Sequence, residues 1–323
     1  MHISDGFLNN NLAIGLLVGA FAMFGYCLDK VFGNAVVFVE NLVLNNGNAG
    51  IELYSLEGFD NTNKYFQKLA NIAIWIFALQ MFNVPIKPAT SAHLIGGVFA
   101  SVITDPFSGF IIISSILMLQ SLFFSDGGIL ALGANIFNMA FIGSFLSYYV
   151  YKVLSNKNYY FAIFGACCFS ILVASLSCII ELTIFNTLSF IAIFEDMMSL
   201  HLIIVLLETI LTLILIKTFN NLSEIQKNKR TIIFIAVPIV IVSLASFFAS
   251  NNPDTLKRLA IKYNFINQSK EMISLFKGYC FPFINNYFFS TLCAGITGIT
   301  FIYITYKIIN NIVNALRNNL KNK

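Results

Sequence analysis

Histidine is scarce in this chain, and one of its three histidines, His2, directly follows the first residue. A histidine at this position can wrap a metal ion with three nitrogens: the α-amine of Met1, the deprotonated amide of His2 and the imidazole Nδ1. The amine and the amide close a five-membered chelate ring, and the amide and Nδ1 close a six-membered ring. A second imidazole would complete a square of four nitrogens.

Four nitrogens in one plane suit Ni²⁺ or Cu²⁺ better than tetrahedral zinc or the oxygen-seeking cations Mg²⁺ and Ca²⁺. The amine, the amide and the imidazoles must all lose protons to bind, so the sequence predicts weaker binding as the pH falls. The alternative for His2 is an ordinary solvated residue near a chain terminus.

His93 is the candidate for the fourth nitrogen. It lies in the stretch "NVPIKPATSAHLIGG", where two prolines predict a non-helical approach to an apolar helix. Under the topology given below, this loop and Met1 lie on the same side of the membrane. A histidine at a helix start can also be a cap or an interfacial residue, and His93 alone does not decide between these roles.

Several polar residues fall inside apolar segments or beside His93, and they are candidates to support the ligands. Polar residues in a membrane bundle face its interior, where they either bond helices together or hold a polar segment in place. His201 and Glu208 are seven residues apart, hence on one helix face, and this carboxylate could be functional or structural. The supporting candidates are Ser91, Gln80, Gln120, Asn135, Asn138 and Glu208.

The composition places these residues in a membrane protein. Hydrophobic residues make up 58% of the chain and charged residues 11%, with a mean hydropathy of +0.79, far from the composition of soluble domains. The net charge of +4 argues against a nucleic-acid partner. The six cysteines form no CxxC motif, so neither a disulfide framework nor a thiolate metal site is indicated.

About nine apolar segments, separated by turn residues, predict an all-α polytopic helix bundle. The distribution of lysine and arginine favours an outer N-terminus and an inner C-terminus. Residues 1–11 contain no lysine or arginine, so we expect the first helix to be retained and not cleaved as a signal peptide. We expect a metal-binding membrane domain at 1–220, a cytoplasmic linker at 221–230, and a two-helix domain with an outer loop at 231–323.

Three stretches resemble the substrate-capture (S) component of cobalt and nickel energy-coupling-factor transporters, the CbiM/NikM type. They are "MHISDGFL", "FALQMFNVPIKPATSAHLIGG" and "LMLQSLFFSDGGILALGANIFNMAFIG", and "HLIIVLLETILTLILI" matches more loosely. The stretch "FASNNPDTLKRLAIKYNF" is similar to the signature of the small companion subunit, CbiN/NikN type. The resemblance implies a fusion of both components, with the polar linker between them.

The resemblance implies capture of Ni²⁺ or Co²⁺ as transported substrate by the Met1 amine, the His2 amide and imidazole, and the His93 imidazole. It also implies a multi-pass protein of a prokaryotic cell (inner) membrane, working with a transmembrane coupling (T) component and cytoplasmic ATPase subunits. The chain has no GxxxxGK[ST] motif, so ATP hydrolysis falls to those partners. We expect a transporter subunit and not an enzyme; the alternatives are a membrane-embedded metal enzyme and an ATP-independent secondary metal transporter.

Overall fold

The structure is a computed structural model that describes residues 2–45, 51–87, 90–184, 189–223, 227–248, 250, 252–269 and 274–321. Met1, the first predicted ligand, lies outside these residues. The described chain is mainly helical, because a backbone in lipid must satisfy its hydrogen bonds internally.

The described residues form eleven α-helices. In chain order they are α1 Asn10–Asn45, α2 Ile51–Gln80, α3 Gly97–Ile103, α4 Pro106–Leu119, α5 Leu132–Asn135, α6 Ser147–Ser155, α7 Tyr159–Thr183, α8 Phe190–Ser223, α9 Lys227–Phe248, α10 Thr255–Lys262 and α11 Tyr287–Lys321. Two π-helical segments continue α4 and α5, over Gln120–Phe124 and Ile136–Leu146. Helices α8 and α9 extend into the predicted linker from both sides.

Within the described residues, five helical spans are long and apolar enough to cross a membrane: Asn10–Phe32, Pro106–Phe124, Tyr159–Thr183, Phe190–Leu222 and Tyr287–Ile312. A shorter apolar helix covers Ile232–Phe248. Apolar side chains on the outside of these spans are exposed, as Val18 (65%) and Ile191 (69%) illustrate, which is expected of lipid-facing positions. The predicted count of nine spans stays a prediction.

The approach to His93 is a β-hairpin, which an all-α fold does not include. Strands β1 Val84–Lys87 and β2 Thr90–Ala92 pair antiparallel, with Val84 opposite Ala92. Proline at 85 cannot continue a helix, so the backbone groups here pair between strands instead. The bundle is helical as predicted, but this segment departs from the all-α expectation for that reason.

The N-terminal segment is buried at one end of the bundle. Ile3 and Phe7 are at most 1% exposed and belong to a small apolar cluster with residues of α7, α8 and α10. The ring of Phe7 meets Phe265, beyond α10, edge-to-face at a centroid distance of 5.1 Å. The chain therefore folds its first residues into the interior, below the loop between α9 and α11.

Candidate metal centre

His2 and His93 lie side by side. Their ring centroids are 4.9 Å apart and the rings are tilted by 37°. His2 is 2% exposed, and neither of its ring nitrogens has a hydrogen-bond partner among the described residues. An unpaired buried imidazole is costly, so the nitrogens of His2 are available to a ligand.

Asn135 holds the backbone next to His2. Its Oδ1 accepts from the Ile3 amide at 2.8 Å, and its Nδ2 donates to the Ile3 carbonyl at 3.0 Å. The same carbonyl accepts from the Gly128 amide at 2.9 Å. Both backbone groups of Ile3 are thereby fixed, which limits the positions that the preceding imidazole can reach.

Asp5 fastens the segment at a second place. Its Oδ2 accepts from the Ile129 amide at 3.0 Å and its Oδ1 from the Ala131 amide at 2.9 Å. The approach is so close that a Cβ added to Gly128 would lie 2.0 Å from Asp5 Oδ1. Glycine at 128 is therefore required by this contact.

The turn after His93 is built on Glu208. The carboxylate of Glu208 accepts from the Ile95 amide at 2.9 Å and from the Gly96 amide at 2.8 Å. Gly96 has φ +76°, and a Cβ there would lie 2.9 Å from Ile76 Cγ2. The glycine thus permits a left-handed turn that packs against α2.

Two glutamines extend this support. Gln80 Nε2 donates to the Ile95 carbonyl at 2.8 Å, and Gln120 Nε2 donates to Gln80 Oε1 at 2.8 Å. The chain of contacts runs from the π-helical end of α4 through α2 to the His93 turn. Together with Glu208 on α8, three helices fix the position of that turn.

His93 is oriented by its own backbone. Its Nδ1 lies 3.0 Å from the Leu94 carbonyl oxygen. A carbonyl can only accept, so this contact requires the proton on Nδ1. Metal binding by His93 then falls to Nε2.

The loop between α9 and α11 packs on the hairpin that carries His93. The Ser91 amide donates to the Pro253 carbonyl at 3.0 Å, and Ser91 Oγ donates to the Asn252 carbonyl at 2.8 Å. Arg258 donates to Thr90 Oγ1. A single isolated β-bridge also joins Ser91 of β2 to Asp254 of this loop.

Asp126 lies on the other side of His2. Its Oδ2 is 3.9 Å from His2 Nε2 and accepts from the Tyr279 hydroxyl at 2.8 Å. Sequence reasoning did not single out Asp126, although the motif "SDGG" contains it, because aspartate before two glycines reads first as a turn. Tyr279 carried no sequence signal at all.

Burial lowers the pKa of both imidazoles of the site. Desolvation lowers the pKa of the His2 imidazole, against the opposing charge of Asp126, and lowers the pKa of His93 to about 3. Both rings are thus neutral at physiological pH, which is the state that binds metal.

The remaining predicted residues lie apart from the two rings. Asn138 Nδ2 donates to Glu181 Oε2 at 2.7 Å, and His201 Nδ1 lies 2.7 Å from the Met197 carbonyl oxygen. His201 does line a small cavity of about 20 Å³ together with His93 and Asp254. In the described part of the chain, no group of three or more His, Cys, Asp or Glu residues could hold a metal ion.

Residues 2–224 match the family model CbiM, described as the cobalt uptake substrate-specific transmembrane region. A solved structure described as a truncated transition metal transporter superposes with a TM-score of 0.54 at 27% identity, covering 70% of this chain and 100% of that one.

Curated relatives are named for nickel and cobalt transport. A protein of Archaeoglobus fulgidus, provisionally named as the fused nickel transport protein NikMN, is 34% identical over 184 residues, 57% of this chain and 52% of that protein. The cobalt transport protein CbiM of Thermosipho melanesiensis is 36% identical over 98 residues, 30% of this chain and 42% of that protein. The chain thus spans about half the length, or less, of the curated relatives it matches. It belongs to the CbiM family, with a CbiM/NikM-type component fused to a NikN-like part.

Proposed function

We propose that this chain captures Ni²⁺ or Co²⁺ at the His2–His93 pair, as the substrate-binding component of an ATP-driven energy-coupling-factor importer. The observation that carries the proposal is the buried imidazole of His2, which has no hydrogen-bond partner in the described chain and lies 4.9 Å from the ring of His93. Neutral imidazole is the form of histidine that binds Ni²⁺ and Co²⁺, and two such rings supply two of the four nitrogens that we propose.

The donor set that we propose is the Met1 amine, the His2 amide, His2 Nδ1 and His93 Nε2. The first three bind as a tridentate chelate, so the fourth nitrogen lies beside His2 Nδ1 in the square. With metal–nitrogen bonds of about 2.0 Å, two imidazoles at neighbouring corners have ring centroids about 4.4 Å apart. The 4.9 Å between His2 and His93 is close to that value.

Capture fits this donor set better than catalysis. A catalytic metal site keeps a coordination position open for water or substrate, and a square of four nitrogens leaves none in its plane. Glu208, the candidate base of a membrane-embedded metal enzyme, accepts hydrogen bonds from the Ile95 and Gly96 amides. We therefore assign its carboxylate to positioning the His93 turn.

The proposed topology has nine crossings, with the N-terminus outside and the C-terminus inside a prokaryotic cell membrane. It is supported by the chain's returns to the N-terminal end: at His93, at the turn around Asp126, at the end of α7 and the start of α8, and at α10. Between one return to the N-terminal end and the next, the chain crosses the bundle twice. Helix α11 then crosses to the opposite end. Helix α3 has seven residues and rises only about 10 Å, so it crosses part of the membrane.

We propose residues 1–220 as the metal-binding domain, 221–230 as the cytoplasmic linker and 231–323 as the companion domain. Uphill import then needs a transmembrane coupling component and ATPase subunits, since the chain itself has no phosphate-binding loop motif. Liposomes containing this chain alone should show no metal uptake, and liposomes with both partners and ATP should accumulate Ni²⁺ or Co²⁺. Uptake by the chain alone would favour a secondary transporter.

Metal binding is tested by calorimetry with NiCl₂ and CoCl₂ on the purified chain. His2→Ala and His93→Ala should each weaken binding at least about a hundredfold, because each removes a donor. His201→Asn is the control, since its ring contacts the Met197 carbonyl and is not a proposed donor; its affinity should stay within about twofold of wild type. Unchanged affinity in His2→Ala or His93→Ala would contradict the proposal.

A further inference from the structure

Asp126 is a carboxylate whose contacts do not resemble those of a structural ion pair. In the described part of the chain, no lysine or arginine nitrogen lies within 4.0 Å of it. Its contacts are His2 Nε2 at 3.9 Å and the Tyr279 hydroxyl at 2.8 Å, both on the same oxygen, Oδ2. The side chain is 20% exposed, so its charge is largely removed from water.

The chelate described above uses Nδ1 of His2, so the proton of that ring resides on Nε2, the nitrogen that faces Asp126. A metal-bound histidine commonly donates its other N–H to a carboxylate, which fixes the ring and makes it a stronger donor. Closing the gap from 3.9 Å to hydrogen-bond length takes a movement of about 1 Å, which a small rotation of the imidazole provides.

We propose that Asp126 is a positioning residue for His2 and that Tyr279, from the loop between α9 and α11, holds Asp126 in place. This inference rests on the proposed metal-capture function. It makes the NikN-like part a direct contributor to metal affinity through the series Tyr279, Asp126, His2.

The backbone on both sides of this series is held in unusual conformations. Ser125 and Gly127 flank Asp126 with φ of +53° and +90°, and Tyr279 has φ +59°. A bulky residue rarely adopts a left-handed φ, because its Cβ is crowded there. The ring of Tyr279 stacks on Phe124 at a centroid distance of 4.8 Å, which aims its hydroxyl at the carboxylate.

Two further contacts fasten the loop to the turn that carries Asp126. The Phe276 amide donates to the Phe123 carbonyl at 2.8 Å, and Ser125 Oγ donates to Ser274 Oγ at 2.6 Å. The loop therefore holds the residues immediately before Asp126 as well as the carboxylate itself.

The charge balance also favours a carboxylate here. A divalent cation bound by one amide anion, a neutral amine and two neutral imidazoles leaves a net charge of +1. Such a charge is costly in a buried site without a counter-charge. Asp126 supplies one negative charge next to the ring of His2, within the range where the attraction is strong.

The test measures Ni²⁺ affinity by calorimetry and the ligand-field absorption band of the Ni²⁺ complex. Asp126→Asn should weaken binding about tenfold to a hundredfold and move the band to longer wavelength, because His2 becomes a weaker donor. Tyr279→Phe should weaken binding roughly threefold to tenfold and move the band in the same direction. In the Asp126→Asn background, Tyr279→Phe should add almost nothing, since it acts through the carboxylate.

The chain offers a matched control pair. Tyr263, in the same loop, donates to Asp196 Oδ2 at 2.7 Å, and this pair does not contact either imidazole. Tyr263→Phe and Asp196→Asn should each leave the Ni²⁺ affinity within about twofold of wild type and the absorption band unshifted. If Asp126→Asn does not fold, as judged by thermal unfolding without metal, Tyr279→Phe decides the question.

The outcomes separate the two proposals. If wild type binds Ni²⁺ and His2→Ala does not, but Asp126→Asn and Tyr279→Phe retain wild-type affinity and spectrum, the inference is wrong and metal capture stands. If the losses of Ni²⁺ affinity in Asp126→Asn and Tyr279→Phe add up in the double variant, Tyr279 does not act through Asp126 and the inference is also wrong. If wild type does not bind Ni²⁺, metal capture fails and the inference fails with it.

Discussion

At the scale of single residues, the site depends on where protons are held. Each imidazole must be neutral to bind metal, and burial lowers the pKa of both, to about 3 for His93. A lowered pKa means that the neutral ring persists to a lower pH than in free histidine, whose pKa is about 6.5. Proton competition near neutrality therefore comes from the amine and the amide.

Because the imidazoles are already neutral and the amine and the amide must each still lose a proton, the number of protons released on Ni²⁺ binding can be predicted. At pH 6 the complex should release about two protons per Ni²⁺, one from the amine and one from the amide. Unperturbed imidazoles would raise the number toward four. Calorimetry in buffers of different ionisation enthalpy measures this number, and a value near four would contradict neutral, buried imidazoles.

A second prediction at this scale concerns Gly128. Its replacement by alanine places a Cβ 2.0 Å from Asp5 Oδ1, so the Asp5 contacts with the Ile129 and Ala131 amides cannot persist. We expect Gly128→Ala to lower the melting temperature by several degrees and to weaken Ni²⁺ binding about tenfold or more. Gly15→Ala is the control, because nothing lies within 4 Å of an added Cβ there. If the two variants have the same melting temperature and the same Ni²⁺ affinity, the Asp5 contacts do not support the site.

The sequence predicted His2 and His93 as ligands because each has a chemical motif of its own, and the structure places their rings 4.9 Å apart. The sequence did not predict a role for Asp126 or Tyr279, because the contact between them joins residues that are 153 positions apart in the chain. Asn135 and Asn138 were both predicted to support the ligands, yet one bonds to Ile3 and the other to Glu181. The π-helical segment between them has no sequence pattern that would have separated the two roles.

At the scale of elements, the His93 turn is positioned by helices α8 and α2, which carry none of the proposed metal ligands. Glu208 on α8 accepts from the Ile95 and Gly96 amides, and Gln80 on α2 donates to the Ile95 carbonyl. The prolines in the approach predicted a non-helical segment. The strands β1 and β2 pair locally, but the bridge from Ser91 to Asp254 was not predictable, because Asp254 lies far along the chain.

The role of α8 is tested by Glu208→Gln. A glutamine can offer only one oxygen to the two amide donors, so the turn should shift and Ni²⁺ affinity should fall about tenfold. Glu181→Gln is matched to it, because Glu181 is also a buried carboxylate but bonds to Asn138 instead of the His93 turn. Calorimetry should find Glu181→Gln unchanged in affinity; a loss equal to that of Glu208→Gln would argue against a specific role for α8.

At the scale of the whole molecule, the NikN-like part contacts the CbiM/NikM-type component on the side where the N-terminal segment is buried. The contacts of Ser91 with Pro253 and Asn252 and those of Asp126 with Tyr279 join the two parts there. The proposed topology puts this face outside the cell, where the metal arrives.

That topology predicts which cysteine reacts with a membrane-impermeant maleimide in intact cells. Cys280 is half-buried in the loop between α9 and α11, so it should be labelled, and Cys280→Ser should abolish most of the signal. Asn156→Cys in the Cys280→Ser background places a thiol in the α6–α7 connection, on the predicted inner side. Labelling of Asn156→Cys before cell lysis would reverse the proposed orientation.

We propose that the α-amine of Met1 binds the metal together with His2 and His93. Ni²⁺ titrations test this on the purified chain that starts at Met1 and on the same chain with one extra residue ahead of Met1. The first chain should bind one Ni²⁺ tightly, and the second should bind at least about a hundredfold more weakly. Equal affinity of the two chains would show that the amine is not a ligand.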